Sequence, residues 1–587
     1  MGGGAAGTLV AAQEALRKHA MPFGAEVLGD GGVRFRLWAP GAQRVSLLLE
    51  HRELAMRPGE SGWYEVTEKA RPGALYRYRI DGGQDVPDPA SRFQPRDADG
   101  PSEVIDPHAF EWRDEAWRGR PWQEAVIYEL HVGTFSSQGT YRGVVSKLPY
   151  LRDLGVTAIE LMPLSDFAGR RNWGYDGVLP YAPDSSYGRP EELKALVQAA
   201  HQAGLMVFLD VVYNHFGPKG NLLGLYAPQF FTDRHHTPWG AAIDFALDPV
   251  RRYFIHNALY WLEEYRFDGL RFDAVHAIID DSPRHILDDI AAAVHARDPD
   301  RHVHLVLEND ANQARFLAVG KYDAQWNDDS HHAYHVLATG ESDGYYVAYA
   351  DSPAKHLARC LAEGFAYQGE KSPFNNEPRG EPSKHLPTSC FVDFLQNHDQ
   401  IGNRAFGERL LALSNDRALK ALSAIQLLAP SPPLLFMGEE WGCKQPFLFF
   451  CDFEGELGAA VRNGRREEFS RFAAFKDPKV RERIPDPLAE STFKQSVLDW
   501  GKRDSGWLAH YKQLLQLRQR AIAPRKFAAG KHRMLGERAF EVKWDGLTLI
   551  ANCGDQKVDV KDAPRQAALW SNGEPGLPWS VNWWTST

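Results

Sequence analysis

The sequence predicts an α/β chain: a parallel (β/α)8 TIM barrel, preceded by an N-terminal β-sandwich and followed by a small C-terminal β-domain. Three observations carry this prediction. Hydrophobic residues alternate with a period of two in segments of residues 31–107; from Ala125 eight short β-rich runs alternate with helical patterns; and β-patterns return after Phe527.

In order along the chain, residues 1–20 are Gly/Ala-rich and then carry Glu14, Arg17 and Lys18. They lack a basic start followed by an apolar run, so a flexible tail is expected rather than a signal peptide, with Met21 as an alternative start. Residues 21–110 make the expected sandwich. Val33, Phe35 and Leu37 point one way, Val45, Leu47 and Leu49 repeat the alternation, and Leu75, Tyr76, Tyr78 and Ile80 supply a further strand. The barrel is expected over 111–524. Its β-runs are 125–132, 158–164, 206–213, 269–275, 303–308, 323–327, 390–395 and 434–437, with helical patterns between them at 190–203, 251–265 and 283–296. About 60 residues separate the starts of the third and fourth runs, which implies an insertion at 216–245. A helical pattern at 508–521 leads to the C-terminal β-domain, 525–587, with strands expected at 540–544 and 547–552.

Composition narrows the function. Hydrophobic residues are 43% and charged residues 25% of 587, which excludes a mainly disordered chain. The net charge of −10 argues against a nucleic-acid partner. No stretch of about 18 apolar residues suggests a membrane span. The five cysteines are odd in number and form no CxxC pair, which fits reduced thiols in a cytoplasmic protein. Aromatic residues reach 12%, with 17 Trp, and need either a core or a binding cleft. Trp38, Trp63 and Trp544 lie in β-patterns and are expected in cores. Trp173, Trp239, Trp326 and Trp441 lie in barrel-face loops, where at least two are expected to stack on sugar rings.

The residues at the strand ends carry the chemistry. The third run ends Asp210-Val-Val-Tyr-Asn214-His215, the fourth contains Arg271-Phe-Asp273-Ala-Val-His276, the fifth ends Glu308-Asn-Asp310, and the seventh ends His398-Asp399-Gln400. Asp273, Glu308 and Asp399 therefore converge from three strands on one mouth. Arg271 stands two residues before Asp273 and points to the same side. Glycoside hydrolysis needs one carboxyl to protonate the leaving oxygen and another to attack or activate water. Asp273 as nucleophile calls for a pKa held low by Arg271, and Glu308 as acid for one raised by burial and by Asp273. His215 and His398 suit sugar hydroxyls. His331 and His335, four apart, have no HExxH partner, so no zinc is expected; Asp210 and Asn214 have few further carboxylates nearby, so no essential calcium is expected and no cofactor.

These residues resemble the α-amylase family. Asp210–His215, Gly269–His276, the Glu308 strand and Asn397–Asp399 match its four motifs in order, and the resemblance covers about 125–442. It implies Asp273 as nucleophile, Glu308 as proton donor and Asp399 as transition-state stabiliser. Tyr175, in Asn-Trp-Gly-Tyr-Asp, looks like an aromatic platform under the reacting glucose. Asp210, His215, Arg271, His276, Trp326, Asn327, Asp328, His331, His398, Gln400 and Asn403 are implied as substrate-binding. Phe35-Arg-Leu-Trp38-Ala-Pro resembles the carbohydrate-binding, early-set-like sandwich ahead of such barrels.

Sub-patterns narrow the resemblance. Asn309-Asp310 after Glu308, the run Gln325-Trp326-Asn327-Asp328-Asp329-Ser330-His331-His332, Gly-Glu439-Glu440-Trp441 and 446–452 are similar to the trehalohydrolase branch. That branch implies a retaining α-glycosidase. It cuts the α-1,4 bond next to the trehalose end of maltooligosyltrehalose, in functional pairing with a maltooligosyltrehalose synthase. Ser330 departs from the aromatic residue expected at its place in a pocket wall. The run 462–466 is expected as a solvated helix face from which one arginine could cap the cleft. A branching or debranching enzyme of the same family, and a non-catalytic glycan-binding protein on an amylase-like barrel, stand as the alternatives.

Overall fold

The computed structural model describes residues 19–237, 239–297, 300–318 and 320–586. Eight parallel strands close into a barrel, numbered here β1 (Ile127–Leu130), β2 (Ala158–Leu161), β3 (Met206–Val211), β4 (Gly269–Phe272), β5 (His304–Leu307), β6 (Ala324–Trp326), β7 (Phe391–Phe394) and β8 (Pro433–Phe436). Each lies in or overlaps one of the eight predicted runs. These strands are buried on both faces, which is why they read as nearly continuous apolar stretches.

The strand period decides what fills the barrel. Ile127, Ala158, Met206, Phe208, Val306, Ala324, Val392, Phe394 and Leu434 pack together in its interior. Large side chains among them each contribute roughly 1.5–3 kcal/mol on burial. Two residues further along each strand the inward positions become Glu129, Glu160 and Asp210, while β4 brings Arg271 level with Asp210. The apolar interior is thus topped by a charged layer at the C-terminal end.

Helix Pro190–Gln202 precedes β3, helix Asp248–Glu264 precedes β4 and helix Ile286–His295 precedes β5, each starting within a few residues of its predicted pattern. The 216–245 segment folds as short helical turns and an antiparallel hairpin, Phe231–Thr237 with Gly240–Ile243. The N-terminal unit has two antiparallel sheets. Val33, Phe35 and Leu37 of one and Val45, Leu47, Leu49, Tyr76 and Tyr78 of the other are all buried, with the Phe35 and Tyr76 rings 4.9 Å apart. It is fastened to the barrel by Arg92, which donates to the Ala25 carbonyl at 2.6 Å and lies 3.5 Å from Glu264. The C-terminal unit is one five-stranded sheet, docked through the Trp583 indole N–H on the Ala424 carbonyl at 3.1 Å.

Most of the expected tail, residues 1–18, lies outside the described residues. His19 is buried, with Nδ1 2.7 Å from Glu263. All five cysteines are unpaired. No helix among the described residues is long and apolar enough to cross a membrane.

Candidate active site

Arg271 is the hub of the barrel mouth. It is fully buried on β4. Its Nη1 donates to Asp210 Oδ2 at 2.7 Å and Asp273 Oδ1 at 2.8 Å, and its Nη2 lies 2.9 Å from Glu308 Oε2. The guanidinium lies over the Trp326 ring, 4.0 Å from its centroid. One cation thus spans carboxylates from β3, from the end of β4 and from the end of β5, which keeps the three in register. Just after Asp273 the backbone is strained: Ala274 has φ +40°. That twist aims its N–H at Glu308 Oε2, 2.8 Å away.

Asp399 approaches from helix α1 (His398–Gly402), which starts four residues after the end of β7. Asn397 caps that helix, accepting from the N–H groups of Asp399 at 2.9 Å and Gln400 at 3.3 Å. His398 is buried behind it. Its Nδ1 lies 2.5 Å from Glu129 Oε1 on β1, and its Nε2 lies 3.4 Å from Asp399 Oδ1. Asn403 Nδ2 donates to the same Asp399 oxygen at 3.2 Å. Tyr175 stacks on the His398 ring at 5.0 Å and donates its hydroxyl to Asp210 Oδ2 at 2.6 Å. His215 bonds the Tyr175 carbonyl through Nε2 at 3.0 Å and carries Trp239 stacked at 4.2 Å.

Exposure separates the three acids. The Asp273 side chain is 11% exposed, Glu308 18% and Asp399 34%. Burial, then the Glu308 charge, lifts Asp273 well above the usual carboxylate range. Burial pushes Glu308 up too, but Arg271 and the Ala274 N–H outweigh it and leave Glu308 below its ordinary value. This reverses the expected order. Glu308 differs from Asp273 in having a backbone donor, the Ala274 N–H, besides Arg271. Burial is outweighed by Asp399 and Glu129 at His398, whose pKa rises to about 9, so it is an imidazolium at neutral pH. Burial raises Asp210 to about 6, with Arg271 opposing.

Of the remaining expected residues, Asp328, Gln400, Asn403 and His276 stand at or near the mouth. Burial, then Glu308 and Asp310, raises Asp328. His276 Nδ1 accepts from the Asp310 N–H at 3.3 Å. Three residues expected to touch sugar are instead enclosed. Trp326 is 1% exposed, with Arg271 covering its ring. Asn327 is buried and donates to the Gly364 carbonyl at 2.9 Å. His331 is buried, with Nδ1 on the Leu395 carbonyl at 2.8 Å and its ring stacked on Phe394. The cause is the short β6: helix α2 (Asp328–Thr339) begins two residues after it and turns this run behind the mouth.

Ser330 is not in a pocket wall either. It is fully buried, and its hydroxyl donates to Asp393 at 2.7 Å, which explains a small polar residue there. Trp173 and Trp441 are buried, while Trp239 is 49% exposed. Arg465 of the 462–466 run is buried rather than solvated.

Sequence reasoning missed Glu129, the buried partner of His398, and Arg379, which lies 3.0 Å from both Asp310 and Asp329. Glu129 was findable: it is the one acid on the inward step of the first run. Arg379 sits in an aperiodic loop with no local signal. Among the described residues no three metal-ligating side chains stand together.

The family description "Alpha amylase, catalytic domain" matches residues 91–222, and "Carbohydrate-binding module 48 (Isoamylase N-terminal domain)" matches 22–109. The chain is 46% identical over 498 residues to the malto-oligosyltrehalose trehalohydrolase of Deinococcus radiodurans, covering 84% of this chain and 82% of that protein. It is 42% identical over 510 residues to the protein of the same name from Saccharolobus solfataricus, covering 85% and 87%. A crystal structure described as a putative α-amylase from Salmonella typhimurium superimposes with a TM-score of 0.92 at 45% identity, covering 97% of this chain and all of that one.

Proposed function

The chain belongs to the malto-oligosyltrehalose trehalohydrolase family, and from that premise we propose how its residues release trehalose from the end of a maltooligosyltrehalose. It is a glycoside hydrolase with an oligosaccharide substrate. The observation that carries the division of roles is the single guanidinium of Arg271 shared by Asp210, Asp273 and Glu308.

The substrate lies across the mouth with its reacting glucose against Tyr175. As the glycosidic oxygen approaches, Glu308 turns to it from Arg271 with the proton of the acid pair. Asp273, ionised and kept by Arg271, attacks the anomeric carbon, while Glu308 delivers its proton to the departing oxygen. The α-1,4 bond breaks and trehalose leaves. Water then yields a proton to Glu308 and its oxygen displaces Asp273, freeing the maltooligosaccharide with α configuration retained. Asp399, oriented by His398 and Asn403, faces the positive charge that develops on the sugar. Asp210 holds Arg271 in place and grips Tyr175. His276, Asp328, Gln400 and Asn403 contact hydroxyls at the mouth, and Trp239, stacked on His215, offers an exposed ring to a sugar face.

The substrate implies a companion synthase that converts a maltooligosaccharide end into trehalose, with both enzymes in the cytoplasm. Incubation with maltooligosyltrehalose and with plain maltooligosaccharide, read by chromatography, tests the assignment. Trehalose from the first substrate is expected. Cleavage of the plain substrate alone defeats the sub-family assignment, and chain transfer to α-1,6 branches favours a branching enzyme.

A further inference from the structure

The helix that carries Asp399 is five residues long, too short to hold its own position by internal hydrogen bonds. Its N-terminal end is fastened to the barrel. Asn397 caps it, and Glu129 of β1 takes both the backbone N–H and the ring of His398. Its C-terminal end is Gly402, with Asn403 following. There the carbonyls of the last residues need donors from elsewhere.

Arg465 supplies them. It comes from helix α3 (Gly455–Glu468), which lies beyond β8 and 62 residues along the chain from Asn403. Apart from Gly458, Arg465 is the one buried residue of that helix. Its Nη2 donates to the Gly402 carbonyl at 2.8 Å and to the Arg404 carbonyl at 2.9 Å. These two carbonyls flank Asn403, whose side chain holds Asp399. The guanidinium is sandwiched by Phe469 at 4.8 Å and Phe449 at 5.5 Å, and Nη1 reaches Glu468 at 3.3 Å. Arg404 itself turns outward to a two-point ion pair with Glu341, at 2.8 and 3.0 Å.

A guanidinium withdrawn from water is costly unless its donors are used. Here one nitrogen is spent on two carbonyls two residues apart beside an acid of the mouth, and only the other reaches a carboxylate. Helix packing alone would be served by an apolar side chain between Phe449 and Phe469. The two carbonyl bonds do what packing cannot: they fix the direction of the Gly402–Asn403 peptide unit and of the Arg404–Ala405 unit one residue beyond Asn403.

We propose that Arg465 is a positioning residue for the cleavage step, acting through Asn403 on Asp399. The inference rests on the role given above to Asp399. α3 then works as a strap from outside the barrel that closes the free end of the Asp399 helix. A misplacement of about 1 Å at such a group costs on the order of 10²-fold in rate.

The test is a double-mutant cycle on trehalose release from maltooligosyltrehalose. Arg465→Met should lower kcat roughly 10- to 100-fold with KM changed less than about threefold, and Arg465→Lys should recover part of the loss because its ammonium reaches a carbonyl. Glu468→Gln, which spares the carbonyl bonds, should stay within about twofold of wild type. Asp399→Asn should be severely impaired, and adding Arg465→Met to it should cost less than about threefold more, since the strap then has nothing to position. Circular dichroism and melting curves identify any variant that fails to fold; if Arg465→Met does, Arg465→Lys carries the cycle. Full activity in folded Arg465→Met overturns the proposal, as does a multiplicative loss in the double variant. Wild-type turnover in Asp399→Asn instead removes the role of Asp399 itself, and the proposal with it.

Discussion

Replacing Asp273 by Asn separates catalysis from stability at one position. The carboxamide keeps the shape of the side chain and still offers an oxygen to Arg271 Nη1, 2.8 Å from Asp273 in the native protein. It removes the nucleophile's charge and one of three carboxylates gathered on one guanidinium. Turnover should fall at least about 10³-fold, or ~4 kcal/mol of barrier. Stability should move the other way. Burial, then Glu308, raises the Asp273 pKa in the folded protein. A carboxylate raised on folding costs stability at every pH above its unfolded value near 4, by ~1.4 kcal/mol per pH unit until the folded pKa is passed. The variant escapes that cost, so at pH 7 it should be the more stable of the two. Initial rates of trehalose release and thermal unfolding on the same preparations read both effects. A rate within tenfold of wild type sinks the role of Asp273. A lower melting temperature sinks the electrostatic account, because it means that Arg271 stabilises an ionised Asp273 rather than a protonated one.

Three further outcomes are expected. His398 has a folded pKa of about 9 against an ordinary 6.5, so its contribution, on the order of 3 kcal/mol, is complete below pH 6.5 and lost as pH rises through 9. Glu129→Gln should shrink that loss between pH 6.5 and 9 in stability titrations, and equal slopes in the two proteins contradict the pairing. Ser330→Ala should cost about 1–3 kcal/mol by leaving a buried Asp393 oxygen without its donor, with kcat and KM unchanged; an activity loss at full stability returns Ser330 to the pocket wall. Gly402→Ala puts a Cβ 2.1 Å from Trp173 and should lower both the melting temperature and kcat, overpacking costing about 1–3 kcal/mol. A silent Gly402→Ala means that the Asp399 helix tolerates displacement.

What was legible in the sequence was periodic or local. The eight barrel strands announced themselves because both faces are buried and each is a mostly apolar run of three to six residues. The convergence of Asp273, Glu308 and Asp399 on one mouth was legible because each immediately follows or nearly follows a strand, where the barrel rule gives position meaning. Trp326, Asn327 and His331 were misread for the same reason applied once too often. β6 is only three residues long, so the residues after it belong to a helix start and not to a loop over the mouth. The Trp count misled in a similar way. Trp441 packs against Tyr150 and Trp500 beneath the surface, and Trp173 lies flat on Phe447, so most of the ring surface builds the shell around the site.

The unequal surroundings of Asp273 and Glu308 were not legible at all, and the reason is geometric. Arg271 was expected to favour ionisation of Asp273, its neighbour in sequence. In the folded protein the guanidinium serves three acids at once, and the tie is broken by a backbone N–H that a single left-handed residue, Ala274, turns toward Glu308. No residue pattern encodes that choice. It matters for the chemistry, because on the proposed roles Glu308 must give up that N–H as well as Arg271 to reach a glycosidic oxygen. The acids around the mouth outnumber Arg271 and His398, which suits a sugar that turns positive as the bond breaks.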